Sequence, residues 1–134
     1  MSKMITEDFR AIMIQNAFEV QNELGKDHAP VVKLHSQYGK AIWLLSELDS
    51  VNNIAYGLCD LGQGTPELSY VSIEHLESIK HARLKVPMVE MDKDFVGQYP
   101  MSVYFEAAKM VKRITDDDEI LKRAVRAIAD REFN

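Results

Sequence analysis

Six residues between positions 43 and 70 are of types that can do chemistry together: Trp43, Glu47, Tyr56, Asp60, Glu67 and Tyr70. Carboxylates hold divalent cations through oxygen or move protons, and aromatic rings beside them suit recognition of a partner chain. The grouping rests on the two-residue alternation of strand side chains. If residues 50–53 form a hairpin loop, Asp49 pairs with Ile54, Glu47 with Tyr56, Leu45 with Leu58 and Trp43 with Asp60, and all of these share one face. A second hairpin through Gly62 to Pro66 then brings Asp60 near Glu67 or Leu68, so that three carboxylates converge beside Trp43, Tyr56 and Tyr70. Such a patch can bind a divalent cation, perform acid/base chemistry or accept a basic partner peptide, and the spacing does not choose among them. A structural reading of the same residues stands beside these. Glu47 and Asp49 are then solvated strand-end charges, Asp60 caps the glycine turn through an Asx-type hydrogen bond, and Glu67 pairs with a lysine.

Other reactive residue types are scattered. The sequence has no phosphate loop of the GxxxxGK[ST] type, no GxGxxG, no GxSxG and no HExxH. Cys59 and His35 are the minimum for a thiol nucleophile, but a lone cysteine in a strand pattern reads first as a small buried hydrophobe. His28, His35, His75 and His81 lack the tight spacing of a zinc site, so no metal and no cofactor are expected.

The elements that must position these residues are legible from punctuation and periodicity. Thr6 with Glu7 and Asp8 opens a helix in which Phe9, Ile12, Met13, Asn16, Val20 and Leu24 recur at helical spacing, and Gly25 closes it. Extended patterns follow at Pro30 to His35, Ala41 to Leu48, Ile54 to Leu61 and Leu68 to Val71, separated by short turns. Gly57 within a strand predicts a bulge or a close backbone contact, and Gly62 and Gly64 are turn positions calling for positive φ. Ser72 caps a helix through Ile73, Leu76 and Ile79 that ends near His81 to Arg83; Pro87 marks the following extended stretch as an edge. Pro100 and Ser102 announce a helix over Val103 to Ile114. Thr115 or Asp116 caps a last helix, acidic at its start and basic later, as the helix dipole favours. The fold expected is α+β: a small antiparallel meander of four to five strands with helices packed on one face, plus C-terminal helices, in one domain spanning residues 1–134. Residues 115–134 read as a helical extension whose apolar stripe, Ile120, Leu121, Ala124, Val125 and Ile128, packs on its own domain or on a second copy.

With 134 residues, 46% hydrophobic and 28% charged, the chain matches an ordinary globular domain and excludes collagen-like, wholly disordered and disulfide-scaffold classes. The net charge of −5 works against a nucleic-acid binder. That role needs Lys109, Lys112, Arg113, Lys122, Arg123 and Arg126 to converge. A single cysteine, an N-terminus without an apolar signal core and the absence of a long apolar run point to the cytoplasm and away from membranes.

The blocks Pro30 to Leu34, Trp43 to Asp49, Ala55 to Gly62, Pro66 to Ser72 and Ile73 to Leu76 closely resemble the bacterial family catalogued as domain of unknown function 2958, over roughly residues 4 to 114. The resemblance implies a setting among plasmids, integrative elements and phages, often near accessory and antirestriction-type genes, and it implies no activity. The residues after Asp116 extend past the usual family end. The reading that joins these observations is a non-enzymatic accessory protein acting by protein–protein binding, with counter-defence as its setting and homo-oligomerisation open. The second reading is a metal- or small-molecule-dependent hydrolase using Glu47, Asp60 and Glu67.

Overall fold

The computed structural model describes residues 4–22 and 26–133. The elements are α1 (Glu7–Asn22), β1 (Val32–Ser36), β2 (Ile42–Asp49), β3 (Ile54–Asp60), β4 (Glu67–Ser72), α2 (Ile73–Ser78), β5 (Val89–Met91), α3 (Met101–Val111) and α4 (Asp118–Phe133). The expected Leu24 and Gly25 helix end lies outside the described residues. Strands β1 to β4 form the meander, β5 adds beside β1, and every pair in the resulting order β4-β3-β2-β1-β5 is antiparallel. This is the α+β class that the alternation and turn signals imply. Among the described residues, no helix is long and apolar enough to cross a membrane.

Alternation divides the core in two. Trp43, Leu45, Val32, Leu34 and Ala55 face a cluster that takes in Met13 of α1 and Ile73 and Leu76 of α2. Leu44 and Leu58, displaced by one residue, face a second cluster built on Tyr104, Ala107 and Ala108 of α3 and Leu121 and Ala124 of α4. The C-terminal helices thus cover the opposite face of the sheet from α1 and α2, and the α4 stripe is spent largely on α3. Each fully buried leucine in these layers contributes on the order of 1.5–3 kcal/mol.

One irregularity sets where the candidate residues point. The pairing of β2 with β3 starts as the sequence predicts, with Asp49 opposite Ile54 and Glu47 opposite Tyr56. A bulge between Leu45 and Glu47 then inserts Ser46 without a partner. Beyond it Leu45 faces Gly57, Leu44 faces Leu58, Trp43 faces Cys59 and Ile42 faces Asp60, so the expected Leu45–Leu58 and Trp43–Asp60 pairs do not form. Two residues make the bulge tolerable. A Cβ at Gly57 would lie 2.0 Å from the Leu44 carbonyl oxygen, so only glycine lets β2 approach. The Ser46 carbonyl accepts a 2.9 Å hydrogen bond from Nδ2 of the buried Asn16 in α1. Because the pairing of β1 with β2 stops at Leu45, α1 supplies the hydrogen bond a neighbouring strand would otherwise give.

Three helix boundaries differ from expectation, each for a local reason. Helix α2 stops at Ser78 rather than near His81, because Ile79 turns extended and its carbonyl accepts from Met88 N–H. A tight turn follows, closed by His81 N–H on Val86 O, with Lys85 at φ 58°. Helix α3 ends at Val111 rather than Ile114, because Lys112 adopts the left-handed conformation. Helix α4 is capped by Asp117, not Thr115 or Asp116; its Oδ1 accepts from the N–H groups of Glu119 and Ile120. Asp116 instead pairs with Lys33 at 2.7 Å, and Asp118 accepts from the Tyr99 hydroxyl and pairs with Lys122.

Candidate functional site

Past the bulge, the end of the sheet opens into a groove of about 470 Å³. Ile14, Ala17, Phe18 and Gln21 of α1 form one wall, and Glu47, Ile54, Tyr56 and Tyr70 form the other. Helical spacing explains the first wall: positions 14, 17, 18 and 21 fall on one side of α1. The register explains the second. Glu47, Tyr56 and Tyr70 lie opposite one another across β2, β3 and β4, a row of three on one face of the sheet. The two tyrosine rings sit 5.0 Å apart, tilted by 52°. Phe18 is 59% exposed and Tyr70 72%, so the rim carries large rings that the fold does not cover.

Glu47 is half-buried in this groove, and among the described residues no hydrogen bond or ion pair reaches its carboxylate. Loss of hydration pushes its carboxyl above the usual range, against the weaker pull of His28. Burial likewise raises the Tyr56 hydroxyl, with Glu47 adding to the shift. The neighbouring Asp49 is occupied: it accepts from Val51 N–H, Asn52 N–H and the Asn52 side chain, locking the β2–β3 turn. Among the described residues, no lysine or arginine lines the groove.

The six residues singled out from the sequence therefore part company. Glu47, Tyr56 and Tyr70 stay together. Trp43, by the bulge, and Glu67, by the β3–β4 register, lie on the other face, beside Cys59, where they line a smaller depression of about 200 Å³. Asp60, only 3% exposed, accepts from Gly62 N–H at 2.8 Å and from Ile114 N–H at 3.0 Å. It is the Asx cap of the glycine turn, with Gly62 at φ 81°, and it also ties β3 to the junction between α3 and α4. The carboxylates of Glu47, Asp60 and Glu67 thus have three separate environments, and no group of three His, Cys, Asp or Glu that could hold a metal occurs among the described residues. Cys59 is buried and its thiol is pushed up to about 11, chiefly by desolvation. His35 pairs with Ile42 on the face opposite to Cys59, so the two form no catalytic pair.

The sequence reading missed the α1 wall. Phe18 lies outside the apolar spacing read for α1, and its exposure follows only from the packing of α1 alongside the bulged half of β2.

The profile of a family described as "Protein of unknown function (DUF2958)" matches residues 4–115. The chain belongs to the DUF2958 family. No curated protein and no solved structure matches it. The DUF2958 match takes in the whole sheet, α1 to α3, the bulge and both walls of the groove, and stops before α4. Although α4 lies beyond the matched stretch, its Leu121 and Ala124 are buried in the same cluster as α3. The groove therefore belongs to the DUF2958 part of the chain.

Proposed function

We propose that this DUF2958 protein is a non-enzymatic accessory protein that works by binding another protein, and that the groove between α1 and the Glu47–Tyr56–Tyr70 row is where it binds. The observation that carries this reading is the pair of large rings, Phe18 and Tyr70, left exposed on the two walls of one groove. Large aromatic side chains are enriched where protein interfaces are buried, and exposed rings on both walls of one groove offer such anchors. The mobile-element setting implied by the family resemblance suits an accessory binder directed at a host defence component. Of the residues first considered, Glu47, Tyr56 and Tyr70 remain the binding candidates, joined by Phe18. Trp43 is 5% exposed and Asp60 is saturated by backbone donors, so neither has much to offer a partner. The hydrolase reading needs clustered carboxylates, and Glu47, Asp60 and Glu67 are apart.

Affinity capture from a host extract tests the assignment when wild type is compared with Phe18→Asp and with Arg126→Glu, a surface change on α4. A partner retained by wild type and Arg126→Glu but lost with Phe18→Asp is the expected result. A partner retained equally by all three overturns the groove as the binding surface.

A further inference from the structure

Among the described residues, Glu47 differs from the other buried or half-buried carboxylates in having no hydrogen-bond or ion-pair partner. Asp60 has two backbone donors, and Glu106 has Arg131 and Lys109. A carboxylate removed from water without a partner is costly to the folded chain, and that cost is relieved when a cation arrives. The chemistry around Glu47 suits such a cation. Tyr56 and Tyr70 present a tilted ring pair beside it, and ring faces attract ammonium and guanidinium groups. Phe18 and Ile14 opposite offer apolar contact but no charge, and among the described residues no lysine or arginine lines the position, His28 acting on Glu47 without an ion pair.

We infer that the groove takes a lysine or arginine side chain of a partner protein, flanked by apolar residues, with the cation seated between Glu47 and the Tyr56–Tyr70 rings. This rests on the groove reading above and specifies its occupant. Apolar residues on either side of the cation lie along Phe18 and Ile14, and the single charge fixes their register. The acidic balance of the whole chain, −5, favours approach of a basic segment as well.

A phage-displayed library of random twelve-residue peptides, selected against the full chain, tests this. Wild type is expected to enrich peptides with one lysine or arginine set between apolar residues. Glu47→Gln should keep the apolar pattern and lose the basic position, and Glu47→Lys should replace it with an acidic one. A synthetic peptide of the selected sequence should bind wild type about tenfold more tightly than its norleucine analogue, with the ratio falling to about one in Glu47→Gln. The Gln variant is isosteric, so the comparison survives if the Lys variant fails to fold. Peptides that are lost on Phe18→Asp yet carry no enriched basic residue would overturn the cation and leave the groove standing. Peptides indifferent to Phe18→Asp, or no enrichment at all, would overturn the groove and the cation together.

Discussion

Asp60 ends β3 against the junction of α3 and α4, and Glu47 lies past the bulge in β2 on the same face of the sheet; the first has backbone donors on both oxygens, the second has none. At the Asp60 end the turn, the strand and two helices close over one carboxylate and leave it 3% exposed. At the Glu47 end α1 stands off across a groove, and the carboxylate faces tyrosine rings and open space. Burial by itself therefore does not mark a binding residue. What separates the two is whether the fold supplies the hydrogen-bonding partners.

The difference can be broken at its source. The bulge sends Leu45 and Trp43 to the face opposite the Glu47–Tyr56–Tyr70 row, and Gly57 permits the bulge. Gly57→Ala drives a Cβ to 2.0 Å from the Leu44 carbonyl oxygen and 2.7 Å from Leu45 Cα, and backbone atoms cannot swing aside as a side chain can. We expect a loss of about 3 kcal/mol in urea unfolding, the largest of the series. An Asp60→Ala chain leaves the Gly62 and Ile114 N–H groups without their acceptor, at a cost of about 2–3 kcal/mol in the same urea measurement. The third effect is smaller. Asn16→Ala orphans the Ser46 carbonyl and should cost about 2 kcal/mol by the same measurement. At the groove the expectation reverses: Phe18→Asp and Tyr70→Asp, both on exposed positions, stay within about 0.5 kcal/mol of wild type and act on binding alone.

Much of this was written in the chain and some of it was not. Alternation and turn residues give the five-stranded α+β fold, and Gly57 in mid-strand signals a bulge or close contact where both occur, the bulge being on the facing strand. The pairs Asp49–Ile54 and Glu47–Tyr56 follow from the loop length. The register beyond them does not, because nothing in Leu45-Ser46-Glu47 marks an extra residue, and a one-residue slip sends Trp43 and Asp60 to opposite faces. Asp60 as a turn cap is legible locally from Asp60-Leu61-Gly62. Its second bond, to Ile114, joins residues too far apart in sequence for spacing to reveal. The groove wall on α1 is hidden for the same reason, since Phe18 becomes a rim residue only when Asn16 anchors α1 to Ser46.

The claim at the centre of this account is that Glu47 is held for a partner while Asp60 is held by the fold, and paired unfolding measurements on Glu47→Gln and Asp60→Asn test it most directly. A carboxyl whose pKa is raised by folding binds extra proton in the folded state, so its ionisation costs stability as pH rises from the ordinary carboxylate range through the raised value. Glu47→Gln removes that cost. It should therefore raise the unfolding midpoint at pH 7, with the gain shrinking as acid protonates the wild-type carboxyl, while Asp60→Asn lowers the midpoint because the amide has a single acceptor oxygen for the N–H groups of Gly62 and Ile114. A lower midpoint for Glu47→Gln at pH 7 would mean that the ionised carboxylate already stabilises the folded chain, and would contradict the account.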